Sequence, residues 1–190
     1  MTGKTHQVIG ITAALGGFFI LQEPTYQPAT FVAVLVAAHF GSLLPDIDSS
    51  AADIWNSVPA GKHVGRVATK FTFGHRNLTH SLLGLALVGF LTHRLIMSMP
   101  HYWGLDLNLV WLSFIIGYVF HLLADAVTVL GVPLLWPLDR SFGFPPKPFE
   151  GVRIQSGQWF ENLLLFPLVN LVLIALIWSN IGIIKEILFK

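Results

Sequence analysis

The stretch Phe114-Ile115-Ile116-Gly117-Tyr118-Val119-Phe120-His121-Leu122-Leu123-Ala124-Asp125 decides how this chain is read. An apolar run ends in an imidazole and a carboxylate four residues apart, which places both on one face of a helix. An ionisable group inside a membrane helix is costly and by default marks function. The competing explanation is a hydrogen-bonded His–Asp pair that fixes helix packing. On this stretch alone the two readings stand level.

Composition settles the solvent around it. Of 190 residues, 54% are hydrophobic and only 11% charged, against about 25% charged in a soluble domain. Such a deficit points to a bilayer. A net charge of +1 leaves no footprint for nucleic acid. The absence of cysteine excludes disulfides and thiolate metal sites. Eight histidines and ten carboxylates leave imidazole and oxygen as ligands, a set suited to zinc, manganese or iron.

Outward from His121 the chain divides into five apolar stretches, residues 8–21, 29–44, 82–97, 109–136 and 163–184. The expected fold is all-α, a polytopic membrane bundle forming one integral-membrane domain over residues 1–190. A spanning helix needs ~20 apolar residues. The fourth and fifth stretches meet that length, and the first three are short. Lys4 before an apolar run imitates a signal peptide, but no small-residue cleavage site follows, so an uncleaved first helix is expected. With five spans and the N-terminus inside, the inner side holds Lys4, Lys62, Arg66, Lys70, Arg76, Arg140, Lys147 and Arg153. The outer side holds only Arg94, Lys185 and Lys190, which completes the eleven basic residues. The positive-inside rule then makes the N-terminus cytoplasmic in an inner, or plasma, membrane.

Two connections on the basic side are long. In segment 60–72, Lys62, Arg66 and Lys70 recur every four residues beside an apolar face, a pattern suited to anionic headgroups or to packing on the protein itself. Residues 137–157, rich in Pro, Gly and Phe, read as an ordered interfacial loop.

Three further polar clusters lie at the same ends of the apolar stretches as His121 and Asp125. Pro45 stops the second stretch, and an extended turn after it would aim Asp46 and Asp48 the same way. His75-Arg76-Asn77-Leu78-Thr79-His80-Ser81 opens the third, with Thr79 or Asn77 as the expected N-cap. Arg76 there is suited to gripping a phosphate or carboxylate. His6 precedes the first. Each cluster alone reads as an interfacial or capping group. Together they offer seven donors, His6, Asp46, Asp48, His75, His80, His121 and Asp125, enough for two divalent ions. His39, mid-helix, reads as a packed histidine outside this set, and the tail after Trp159 adds only an apolar helix.

At these residues the chain resembles the bacterial inner-membrane metal-dependent hydrolases of the LexA-regulated, YdjM-like group. The likeness rests on His6, on Ser42-Leu43-Leu44-Pro45-Asp46-Ile47-Asp48, on the His75–Ser81 motif, and on His121-Leu122-Leu123-Ala124-Asp125 followed by Gly131 and Trp136-Pro137. That group is in turn similar, distantly, to zinc-dependent phospholipase C and P1-type nucleases. Two departures stand out. Ser49 occupies a position where members often carry His, and Asn77 one where Gly is usual.

The resemblance implies metal-dependent hydrolysis, zinc foremost, of a phosphoester in a lipid or membrane-associated substrate. In that scheme the seven donors hold metal, Asp46 or Asp48 accepts a proton, and Arg76 and Lys70 bind phosphate. The rival expectation is a non-enzymatic protein whose His/Asp cluster binds metal or passes ions or protons.

Overall fold

The computed structural model describes residues 1–21, 27–49, 55, 77–100, 104–138 and 140–189. Among these residues six α-helices follow in order: α1 Gly3–Leu21, α2 Pro28–Leu43, α3 Leu82–Met97, α4 Leu107–Ala126, α5 Phe166–Ser179 and α6 Ile181–Leu188. No extended strand occurs among the described residues, and two isolated bridges, Thr128 with Ile154 and Val132 with Phe142, tie the long loop together. Segment 60–72 lies outside the described residues.

The five expected apolar spans are not what forms. Among the described residues three segments are long and apolar enough to cross a membrane: Pro28–Asp48, Leu107–Ala126 and Glu161–Ser179. Helix α3 is apolar but shorter. Helix α1, with Lys4, His6 and Gln7 in its first turns, is not among the three.

The fourth span ends ten residues earlier than expected. Val127–Trp136 is apolar enough to extend α4, but Gly131 takes a positive φ of 66° that a side chain would resist. Pro133 and Pro137 cannot continue a helix either. The segment folds back instead, burying Val132 completely and accepting the Leu82 amide on the Leu134 carbonyl. The fifth stretch opens with a π-helical turn, Glu161–Leu165, and breaks at Asn180, whose side-chain amide bonds the Leu176 carbonyl. Helix α6 then turns Ile184 and Ile187 into a cluster with Leu15, Phe18, Phe31 and Val34.

Helices α1, α2 and α4 form the packed core, crossing at small residues. A Cβ on Gly117 would stand 2.5 Å from the Ala38 carbonyl oxygen, and one on Gly10 2.6 Å from the Ser42 Cβ. On Gly41 it would run into the carbonyl oxygen of Phe114. In lipid, where no hydrophobic force separates helix from solvent, such close backbone approach is what holds helices together. The crossing sits one turn from Ser42 and His121, so it also sets the site.

Candidate metal centre

Helix ends converge on one point. His6 comes from the start of α1, Asp46 and Asp48 from the 3₁₀ turn Leu44–Asp48 closing α2, and His80 from the 3₁₀ turn Leu78–His80 before α3. His121 and Asp125 come from the last turns of α4. Successive helices therefore alternate in direction, and their polar ends share one face of the bundle.

Four donors stand around a common centre. His80 Nε2 lies 3.3 Å from His121 Nε2, 3.5 Å from Asp46 Oδ1 and 3.7 Å from Asp125 Oδ2. His121 Nε2 lies 3.7 Å from Asp46 Oδ1 and 3.9 Å from Asp125 Oδ2. Ligand bonds of ~2.1 Å in a tetrahedron put donors ~3.4 Å apart. The five separations, 3.3–3.9 Å, put both Asp46 and Asp125 near that edge length from the two imidazoles.

The groups behind the donors fix which atoms face inward. His121 Nδ1 lies 2.7 Å from the Ser42 carbonyl oxygen. A carbonyl only accepts, so Nδ1 carries the hydrogen and Nε2 presents its lone pair to the centre. His80 Nδ1 faces Asp48 Oδ2 at 3.5 Å, and the Thr79 hydroxyl donates to the same oxygen at 2.7 Å. The Tyr118 hydroxyl in turn donates to the Thr79 carbonyl. This is the outer carboxylate–histidine arrangement that orients a ligating imidazole.

The extended turn expected after Pro45 is a 3₁₀ turn instead. Residues two apart in a 3₁₀ turn point about 120° from each other. Asp46 and Asp48 accordingly flank the two nitrogens of one ring, that of His80, rather than aiming the same way. The expected N-cap is corrected too: Ser81, not Thr79 or Asn77, caps α3 by accepting the Gly84 amide at 3.0 Å. Thr79 is freed for Asp48.

His6 stacks on His121 with ring centroids 3.7 Å apart, and its Nε2 lies 3.2 Å from Asp125 Oδ1. The ring is wholly buried, with no hydrogen-bond partner at Nδ1 and only the Asp125 contact at Nε2. A buried polar group without a partner costs free energy, and a cation among these donors would remove that cost. His6, Asp46 and His121 offer donors within 4.8 Å of one another, as do His80, His121 and Asp125. The donor set thus fits a divalent ion. His80, His121 and Asp125 are fully buried, and only Asp46, with 19% of its side chain exposed, opens the centre to solvent.

Protonation offers the cluster another way to balance its carboxylates. Burial works against a charge on His80, but hydrogen bonds to Asp46 and Asp48 outweigh it and raise the imidazole pKa. A proton on His80 and a metal ion therefore compete for the same place.

Of the seven expected donors, six come together. His75 lies outside the described residues, as do the expected phosphate-binding residues Arg76 and Lys70. His39 is half-buried and stands edge-on to Phe40, away from the set.

Sequence reasoning missed Glu161. Far from belonging to a purely apolar tail, its carboxylate is buried and accepts the Thr2 amide, the Thr2 hydroxyl and the Gly157 amide, each at 2.7 Å. It pins the first residues of the chain against the start of the fifth apolar segment, four residues before His6. The Met1 amino group beside Asp125 was missed as well. The available signal was a lone acid opening the most apolar stretch of the chain.

Comparison with known proteins agrees with the membrane reading. The family model described as YdjM inner membrane protein matches residues 1–185. The inner membrane protein YdjM of Escherichia coli (strain K12) is 30% identical over 150 residues, 76% of this chain and 70% of that protein. The uncharacterized protein YvsG of Bacillus subtilis (strain 168) is 31% identical over 165 residues, 87% of this chain and 88% of its own. No solved structure matches the chain. Neither the family description nor these names states a reaction.

Proposed function

This chain belongs to the YdjM inner membrane protein family, and on that premise we propose that it is a multi-pass, metal-dependent hydrolase. Its site lies at the cytoplasmic face of the membrane and acts on a phosphoester of a lipid or membrane-associated substrate. The observation that carries the reading is the set of five donor separations of 3.3–3.9 Å among Asp46, His80, His121 and Asp125. Those four residues would hold a divalent ion, zinc by the mixture of imidazole and carboxylate donors.

Asp125 offers Oδ2 to this set, and its Oδ1 faces both His6 and the Met1 amino group, so a second ion held by His6 and Asp125 would displace that ammonium. The chemistry a divalent ion supplies in such a site is Lewis-acid activation of water. Asp48 holds His80 in orientation, and the partly exposed Asp46, when it is not ligating the ion, would be the carboxylate that accepts a proton on the solvent side. Arg76 and Lys70 remain the proposed phosphate-binding residues.

Cytoplasmic orientation takes α1 and α3 as crossing alongside the three longer segments, in which case the eleven basic residues divide eight to three with the site on the basic side. A cation or proton pathway, by contrast, calls for ionisable residues along the spans. Beyond Glu161 the segment Glu161–Ser179 has no His, Asp, Glu, Lys or Arg, in Leu107–Ala126 His121 and Asp125 lie in the last turns, and in Pro28–Asp48 His39 is the one such residue away from the site end.

The test is release of headgroup or phosphate from mixed lipids by detergent-purified protein, with its native metal and after chelation. Asp125→Ala should reduce turnover to background and chelation should do the same. A metal-loaded protein that hydrolyses no phosphoester offered would overturn the hydrolase reading and leave a metal-binding membrane protein.

A further inference from the structure

A second binding place lies beside the metal centre, in the loop that follows it. A groove of about 550 Å³ is lined by Val127, Phe144, Val152, Arg153, Trp159 and Phe160, among others. Its depth in the membrane is set by the chain itself. Val127 is the first residue after the candidate span Leu107–Ala126, and Phe160 the last before the candidate span Glu161–Ser179. Both spans end at its walls, so the groove sits where hydrocarbon gives way to headgroups. Aromatic side chains gather at that depth, and here Phe144 and Trp159 are both about two-thirds exposed, at 68% and 65%.

One end of the groove carries a fixed positive charge. Arg153 donates from Nε to the Pro145 carbonyl at 2.9 Å and from Nη2 to the Gly143 carbonyl at 3.1 Å. These bonds hold the guanidinium rigid while using only two of its five N–H donors. They bring no negative charge, and among the described residues no carboxylate lies within 4.0 Å of it. The nearby Glu150 is instead paired with Lys147 at 3.8 Å. A rigid guanidinium with free donors matches the oxygens of a phosphate, and the apolar walls beside it match a hydrocarbon chain.

We propose that this groove binds one anionic phospholipid, with the phosphate on Arg153 and an acyl chain along Phe144, Val152 and Trp159. The site stands whether or not the His/Asp cluster is hydrolytic, since none of its lining residues belongs to that cluster.

The full chain reconstituted in phosphatidylcholine vesicles tests this. Phosphatidylglycerol or phosphatidylcholine with brominated acyl chains is added at matched mole fraction. Quenching of Trp159 is isolated as the difference between wild type and Trp159→Phe. Wild type should show the anionic lipid enriched at Trp159 roughly fivefold over the zwitterionic one, which corresponds to about 1 kcal/mol for one basic residue. Arg153→Gln should abolish the excess. Val152→Glu should do so too, and because Val152 is 75% exposed it leaves the fold alone. Arg140→Gln, on the same loop but outside the groove, should retain most of it. Equal quenching by the two lipids in wild type would overturn the proposal, as would an excess that survives Val152→Glu. Loss of the excess on adding inorganic phosphate at constant ionic strength would also overturn it, assigning the guanidinium to free anions.

Discussion

Helix α4 and helix α5 look alike as sequence: both belong to apolar segments long enough to cross a bilayer. In the structure they part company. Half of the α4 span is buried inside the protein, whereas α5 buries none of its residues. The difference lies in the small and polar residues. Helix α4 has Ser113 and Gly117 on the face toward α1 and α2, and ends in His121 and Asp125. Helix α5 runs through Leu168, Leu171, Val172 and Ile174, all exposed. Hydropathy reports the solvent, and residue size and polarity report the partner.

The harshest way to break this comparison is to fill the crossing. Gly41→Leu forces a side chain into the Phe114 carbonyl, so destabilisation above the ~1–3 kcal/mol of ordinary overpacking is expected. Size-exclusion chromatography in mild detergent should show loss of the monodisperse protein. Recovery at wild-type yield and thermal stability would mean that α2 and α4 do not meet there.

A smaller effect is expected where α5's segment touches the site. Glu161→Ala removes the clamp on Thr2 without touching any donor of the four-atom set. Thr2 stands four residues before His6, so the loss of metal affinity should stay below the roughly 10–100-fold seen when a ligand's own partner is removed, and a competitive chelator titration should read it. Glu161→Gln should fall between wild type and Ala, since an amide oxygen still accepts from Thr2 or Gly157. Unchanged affinity in both would confine Glu161 to loop packing.

Acidity gives a more graded contrast. The raised pKa of His80 means that its protonated form stabilises the metal-free fold below the unfolded pKa of ~6.5, and that this contribution is lost as pH rises through the folded value. Metal loading runs the other way, because the ligating imidazole must be unprotonated. The gap in thermal stability between loaded and chelated protein should therefore widen from roughly pH 6 to pH 8. A gap independent of pH would remove His80 from the metal centre.

The smallest effect belongs to the exposed face of α5. Leu171→Ala, at a position 62% exposed, should shift stability by no more than about 0.5 kcal/mol, by thermal unfolding in detergent. A large loss would indicate a packing partner on that face.

Much of this arrangement was legible in the chain. The i,i+4 spacing of His121 and Asp125, and the placement of His6, Asp46, Asp48 and His80 at helix ends, were enough to bring six donors to one face. Helix limits were less legible. Val127–Trp136 is as apolar as a span, and only Gly131 and Pro133 within it betray the reversal. The turn after Pro45 was misjudged because extended and 3₁₀ geometries share the same residues and differ only in the rotation between Asp46 and Asp48. Glu161 was hidden for another reason: its partners are backbone and Thr2, some 160 residues away, and no local pattern encodes a contact of that kind.

The central claim is that Asp46, His80, His121 and Asp125 hold a divalent ion at the shared end of these helices. Elemental analysis of detergent-purified protein, wild type against His121→Ala at equal folded yield, tests it most directly. A stoichiometric divalent metal in wild type that disappears in His121→Ala is the result expected. Equal metal in the two proteins, or negligible metal in both, would contradict it.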